Sequence, residues 1–117
     1  MSDAVHLVHL CSISDWLAAR SSGVLQPESL TQQGFVHLSE RTQVYIPANL
    51  LYRDHCDLVL LSIDPQRVGG EIVWEDGDPP SDDGTQFPHL YDSLPTSAVI
   101  GVERYEMDDS GRYPQLN

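Results

Sequence analysis

Apolar and polar positions alternate along this chain in blocks, and the period changes from block to block. Val5 to Leu10 alternates with period two, so Val5, Leu7 and His9 share one face of a strand and His6, Val8 and Leu10 the other. Ser12 with Asp15 three residues on is a capping-box pattern, and Ile13, Trp16, Leu17 and Arg20 follow at helical spacing until Gly23. Pro27 suits the first position of a second short helix reaching Gln32, which Gly34 ends. Phe35, Val36 and Leu38 are strand formers with His37 set among them, and Ser39 reads as the cap of a third helix. In that reading Phe35, His37 and Ser39 share a face. Val44, Ala48, Leu51 and Tyr52 form the stripe of the third helix, with a break at Pro47; Gln43 and Asn49 read as its solvated surface.

The second half is strand-rich. Leu58 to Leu61 is an unbroken apolar run inside Asp57–Ile63, as expected of a strand covered on both faces. Asp64-Pro65 opens a turn that Gly69-Gly70 closes. Glu71–Glu75 is the next strand, with Glu71, Val73 and Glu75 on one side. Residues 76–86 read as a loop and a candidate lid over a cleft. Asp76 and Asp78 resemble the start of a calcium loop, but Pro80 replaces the third oxygen ligand and no closing Glu follows. Phe87-Pro88-His89-Leu90-Tyr91 is expected to be a shaped loop because Pro88 restricts its neighbour. A helical turn at Leu94–Ser97, a last strand Ala98–Tyr105 and a poorly ordered polar tail from 106 to 117 complete the chain. Helices early and strands late imply an α+β class: one compact domain over 1–117, core about 5–105, with a mixed or mostly antiparallel sheet.

Composition narrows the function. The chain carries a formal charge of −12, and its six basic residues are all arginine. Such a field repels phosphate backbones and anionic membranes, which argues against both as partners. No apolar run reaches the ~18 residues of a membrane span, and Met1-Ser2-Asp3-Ala4 has no signal-peptide character, so the expected location is cytoplasmic. Cys11 and Cys56 then read as reduced, buried thiols. No glycine-rich phosphate loop is present. The final strand permits a homodimer as well as a monomer.

His9, His37, Glu75 and His89, with Ser39 and Tyr91 beside them, sit in or next to apolar segments. Buried ionisable groups are costly unless paired, so their convergence on one cleft would mark a site for a small molecule. Three imidazoles with Glu75 could alternatively hold zinc or iron.

The same residues carry a family resemblance. Val8-His9-Leu10 with Trp16, Gly34-Phe35-Val36-His37-Leu38-Ser39 with Gln43 and Asn49, Leu60-Leu61-Ser62-Ile63-Asp64, Val73-Trp74-Glu75 and Phe87-Pro88-His89-Leu90-Tyr91 together resemble the DUF952 family, small bacterial proteins of unknown function, from about Val5 to Val102. Asp92 departs from the Gly usual there, and the acidic insertion before Phe87 is longer. The resemblance implies an ADP-ribosyltransferase-like split-sheet domain with a cleft for NAD as substrate. It places His9 as the residue that orients the ribose. Glu75 becomes the carboxylate that steadies an oxocarbenium-like transition state, with Glu103 as a competitor for that role. His37 and Ser39 fall on the strand that the resemblance sets near the nicotinamide; His89 and Tyr91 have no equivalent in it and join them as ligand-binding candidates on their placement alone. An ADP-ribosyl transferase or NAD glycohydrolase is thus one reading, and a non-catalytic metabolite-binding protein is the other, because fold alone does not fix function.

Overall fold

The computed structural model describes residues 6–77, 80 and 82–117. Its elements in order are β1 (Leu7–Ser12), α1 (Ile13–Ser22), β2 (Val24–Leu25), α2 (Glu28–Gln33), β3 (Val36–His37), β4 (Ser39–Glu40), α3 (Tyr45–Leu51), β5 (Leu58–Ile63), β6 (Ile72–Asp76), β7 (Gln86–Leu90), β8 (Leu94–Pro95) and β9 (Val99–Arg104), with 3-10 turns at Pro65–Arg67 and Thr96–Ala98. The class is α+β. The strands form a four-stranded sheet ordered β4-β1-β5-β9, a three-stranded sheet ordered β3-β7-β6 and a β2-β8 pair. Every pairing among them is antiparallel, which agrees with the mostly antiparallel alternative of the expectation.

The four-stranded sheet is covered on both faces, which is why Leu58 to Leu61 read as a continuous apolar run. Leu7, Cys11, Val59, Leu61 and Ile63 face one core, shared with Ala19 of α1, Leu25, Val36, Leu90 and Leu94. Val8, Leu10, Leu58 and Leu60 face a second core closed by Val44, Ala48, Tyr105 and Tyr113. His9 lies on the first face with Leu7 and Cys11, as period two requires.

Local signals explain the element ends. The backbone N–H of Asp15 donates to the Ser12 hydroxyl at 3.1 Å, capping α1. Gly34 takes φ +88°, a left-handed conformation that an L residue with a side chain adopts only at a cost, and it stops α2. Asp64 caps the following turn through the Gln66 N–H at 3.0 Å.

Several expectations need correction. Ser39 caps no helix: it pairs with Val8 in β4, and α3 begins only at Tyr45. Pro47 does not break α3, because it sits in the first turn, where no N–H is needed within the helix. Residues 87–90 form a strand rather than a loop. Pro88 fits because its missing donor faces the β3 side, where pairing ends at His37; its carbonyl there accepts from the Leu38 N–H at 3.0 Å. The C-terminal segment is packed rather than loose, with Tyr105 and Tyr113 buried. Asn49 is no solvated helix residue: it clamps the Tyr113 backbone, donating to its carbonyl at 3.0 Å and accepting from its N–H at 2.7 Å. Gln43 likewise bridges to the Gln86 carbonyl at 3.3 Å. Cys11 is buried, but Cys56 is exposed, and both are free thiols. No helix among the described residues is long and apolar enough to cross a membrane.

Candidate functional site

The stretch from Phe35 to Glu40 crosses between two sheets. Val36 and His37 pair with Leu90 and His89, then Ser39 and Glu40 pair with Val8 and Leu7. This crossing brings His37 beside His89 of one sheet and, through a hydrogen bond, beside His9 of the other. The Nδ1 of His9 donates to the His37 carbonyl at 2.7 Å. The rings of His37 and His89 meet edge to face, 5.2 Å between centroids.

Across β6 and β7, Val73 faces His89 and Glu75 faces Phe87. Glu75 is therefore the diagonal neighbour of His89 on the same face, and Tyr91 follows two residues beyond His89 on that face. The Nδ1 of His89 donates to the Glu75 carboxylate at 2.8 Å, and the Tyr91 hydroxyl donates to the same oxygen. These bonds, Tyr91's first, hold the Glu75 carboxyl below the usual carboxylate range, and Glu75 in turn pushes the Tyr91 phenol up. Phe35 stacks on the His89 ring at 4.0 Å with planes 15° apart. The ring is 2 % exposed, and its Nε2 has no hydrogen-bond partner among the described residues.

A cavity of about 820 Å³ opens here, lined by His9, His37, Ser39 and His89 among mostly apolar side chains. Cys11, Ile46, Leu50 and Phe87 are part of its wall, and Gly77 and Pro80 from the acidic segment reach it. The other residues of that segment that were expected to form a lid include 78, 79 and 81, which lie outside the described residues. Glu75 and Tyr91 do not line the cavity; they stand behind His89, on its Nδ1 side. His89 itself lines the cavity, and Nε2 is the ring nitrogen that the Glu75 bond leaves without a partner among the described residues.

Burial lowers the His9 imidazole to about 4, so this ring is neutral at neutral pH. With its Nδ1 proton committed to the His37 carbonyl, its Nε2 is a bare acceptor. Burial, and Asp15 nearby, push the Cys11 thiol up to about 12, which leaves it a protonated thiol without nucleophilic character.

Of the six singled-out residues, four line the cavity and two support one of the four. Glu103 is elsewhere: on β9, it pairs with Arg41. The metal reading also fails on geometry, since no group of three His, Cys, Asp or Glu side chains among the described residues could hold an ion. The sequence reading missed the Phe35 stack on His89 and the Gln33 side chain, whose oxygen accepts from His37 Nε2 at 2.9 Å. The shared face of Phe35 and His37 pointed to neither; α2 curls back onto β3 only in three dimensions.

A family model described as "Protein of unknown function (DUF952)" matches residues 10–102. The chain is similar to the crystal structure of protein CC0527 from Caulobacter crescentus, with 29% identity, 92% of each chain covered and a TM-score of 0.79. The solution structure of the same protein gives 31% identity over 95% of this chain and 92% of that one, with a TM-score of 0.76. No curated protein matches.

Proposed function

The chain belongs to this DUF952 family, and for it we propose that the His-lined cavity binds a small organic molecule, with His89 Nε2 as the atom that receives a hydrogen bond or a proton from it. The observation that carries the reading is the buried, unpartnered Nε2 of His89. A buried acceptor without a partner costs roughly 1–3 kcal/mol, and a ligand donor in the cavity removes that cost. Glu75 and Tyr91 serve it from behind. A carboxylate on Nδ1 fixes the ring's orientation and, when the ring carries a single proton, its tautomer; the same logic operates when a His acts as general base. In this reading Glu75 and Tyr91 are positioning residues, while His9, His37, Ser39 and His89 face the ligand.

The NAD reading is a second one. Support for it comes from the cavity's size, within the ~300–1,000 Å³ of small-molecule sites, and from His9 on its wall. Two observations count against it. Glu75 faces His89 and not the cavity, so it does not lie along a bound ribose. Among the described residues the cavity wall includes Asp15 and Glu28 but no arginine to meet a pyrophosphate.

The test is an NMR screen of small organic fragments and of NAD, read on the imidazole resonances. Under this proposal the fragments that bind move His89 and His9, and His89→Gln loses them while its spectrum stays folded. Saturation by NAD with release of nicotinamide would transfer the site to the second reading. Fragments binding only away from these imidazoles would remove both.

A further inference from the structure

Two buried imidazoles of the cavity have a common character, set among hydroxyls and the Gln26 amide that can donate or accept. His9 presents Nε2 as an acceptor because its other nitrogen donates to the His37 carbonyl at 2.7 Å. His89 does the same when its ring carries a single proton, because the carboxylate on Nδ1 can only accept. Asp15, exposed on the first turn of α1, and Glu28, at the start of α2 with one oxygen accepting from Gln32 at 2.9 Å, add negative charge to the wall. Among the described residues no arginine lines the cavity, and the chain contains no lysine. The remainder of the wall is largely apolar, and Leu50 and Leu51 stand half exposed on it.

Such a wall has acceptors and negative charge for a polar head and aliphatic surface for a body. We infer that the preferred ligand class is an organic cation, a protonated amine on an apolar skeleton. This rests on the small-molecule reading of the same cavity. An ammonium group carries three donors and no acceptor, the complement of two bare imidazole nitrogens. A carboxylate or phosphate brings only further acceptors, so burying it leaves His9 and His89 unsatisfied and adds repulsion from Asp15 and Glu28. The overall charge of −12 acts in the same direction, concentrating cations near the surface and repelling anions.

The experiment uses three probes with one skeleton: cyclohexylmethylamine, cyclohexylmethanol and cyclohexanecarboxylate. Each is titrated into the full chain at low salt, with the imidazole nitrogens of His9 and His89 as readout, for wild type and for the Asp15→Asn/Glu28→Gln double variant. Both substituted residues are exposed, and the cap on α1 uses the backbone of Asp15, so the variant keeps the fold. The amine is expected to bind at least about tenfold more tightly than the carboxylate, with the alcohol between them. The double variant weakens the amine several-fold and leaves the alcohol unchanged. A carboxylate that binds as tightly as the amine overturns the cation preference while the cavity reading stands. If no probe moves either imidazole at millimolar concentration, both fail.

Discussion

At the scale of single residues the account rests on His89 and what holds it. Its ring is clamped by Glu75 on one edge and by Phe35 on one face. Replacing Glu75 with Gln keeps the size but removes the charge-assisted acceptor; a hydrogen bond to a charged group is worth enough that ligand affinity at His89 should fall about tenfold. The expected result is that loss in an NMR or calorimetric titration, with the unfolding midpoint little changed because the Glu75 side chain is 36% exposed. His9 makes a separate prediction in pH. Its folded value of about 4 lies below the ordinary 6.5. The unfolded chain therefore binds a proton first as pH falls. Stability is unaffected above the ordinary value and declines between about 6.5 and 4, by about 3 kcal/mol in all. Glu75, whose carboxyl is also depressed, acts in the same direction at lower pH, since its contribution is lost as pH falls through its folded value. Urea unfolding across this range should show a steep decline in wild type and a shallower one in His9→Gln, which keeps a donor for the His37 carbonyl. His9, His37 and His89 were legible in the sequence, because an imidazole inside an apolar strand is conspicuous; His55, Asp15 and Glu28, which also line the cavity, were not. The direction in which Glu75 points was not, since alternation gives its face but not the partner it meets there.

At the scale of elements, two features decide the architecture. One is the passage of residues 36–40 from the three-stranded to the four-stranded sheet. The other is the C-terminal segment, which closes the second core. Asn49→Ala removes both bonds to the Tyr113 backbone and leaves it to water, so a loss of roughly 1–3 kcal/mol is expected. Limited trypsin digestion measures it directly: cleavage after Arg112 should become faster than in wild type. An unchanged rate would mean that Tyr105 and Tyr113 hold the tail without Asn49. Gly70 makes another case, because a Cβ there would lie 2.4 Å from the Cβ of Asp92 and 3.1 Å from the Tyr91 carbonyl oxygen. Gly70→Ala must push Tyr91 away from Glu71, whose carbonyl accepts the Tyr91 N–H at 2.8 Å. The expected outcome is a lower melting temperature together with a shifted Tyr91 phenol resonance. The patterning and strand-forming residues showed β1, α1, β5 and β9, although β1 and β5 are buried on both faces and β9 has no fully buried residue. The patterning misread residues 87–91 because a proline within a strand is acceptable only where its missing N–H finds no partner to miss. It also misread the tail, whose two tyrosines are too far apart in sequence to form a pattern.

At the scale of the whole molecule, charge is the dominant feature. A net charge of −12 on 117 residues works against compaction, and ion pairs such as Arg41–Glu103 and Arg67–Asp64 offset only part of it. Added sodium chloride should therefore raise the melting temperature as the screening length falls from about 30 Å at 0.01 M to about 3 Å at 1 M. A drop would show that the attractive pairs outweigh the repulsion. The acidic composition and the α+β class were readable from the chain alone. What could not be read was that two sheets meet at the Phe35–Glu40 crossing and leave a cavity between them, because that depends on pairings between residues 28 and more positions apart.

The central claim is that His89 is held by Glu75 with a bare nitrogen facing the cavity. A long-range proton–nitrogen spectrum of the histidine side chains at neutral pH tests it most directly. The account predicts that His9 and His89 both carry their proton on Nδ1, that Glu75→Gln disturbs this at His89 and not at His9, and that adding cyclohexylmethylamine moves the His89 Nε2 signal. A His89 ring protonated on Nε2 in the wild type, or one unchanged by Glu75→Gln, would contradict it.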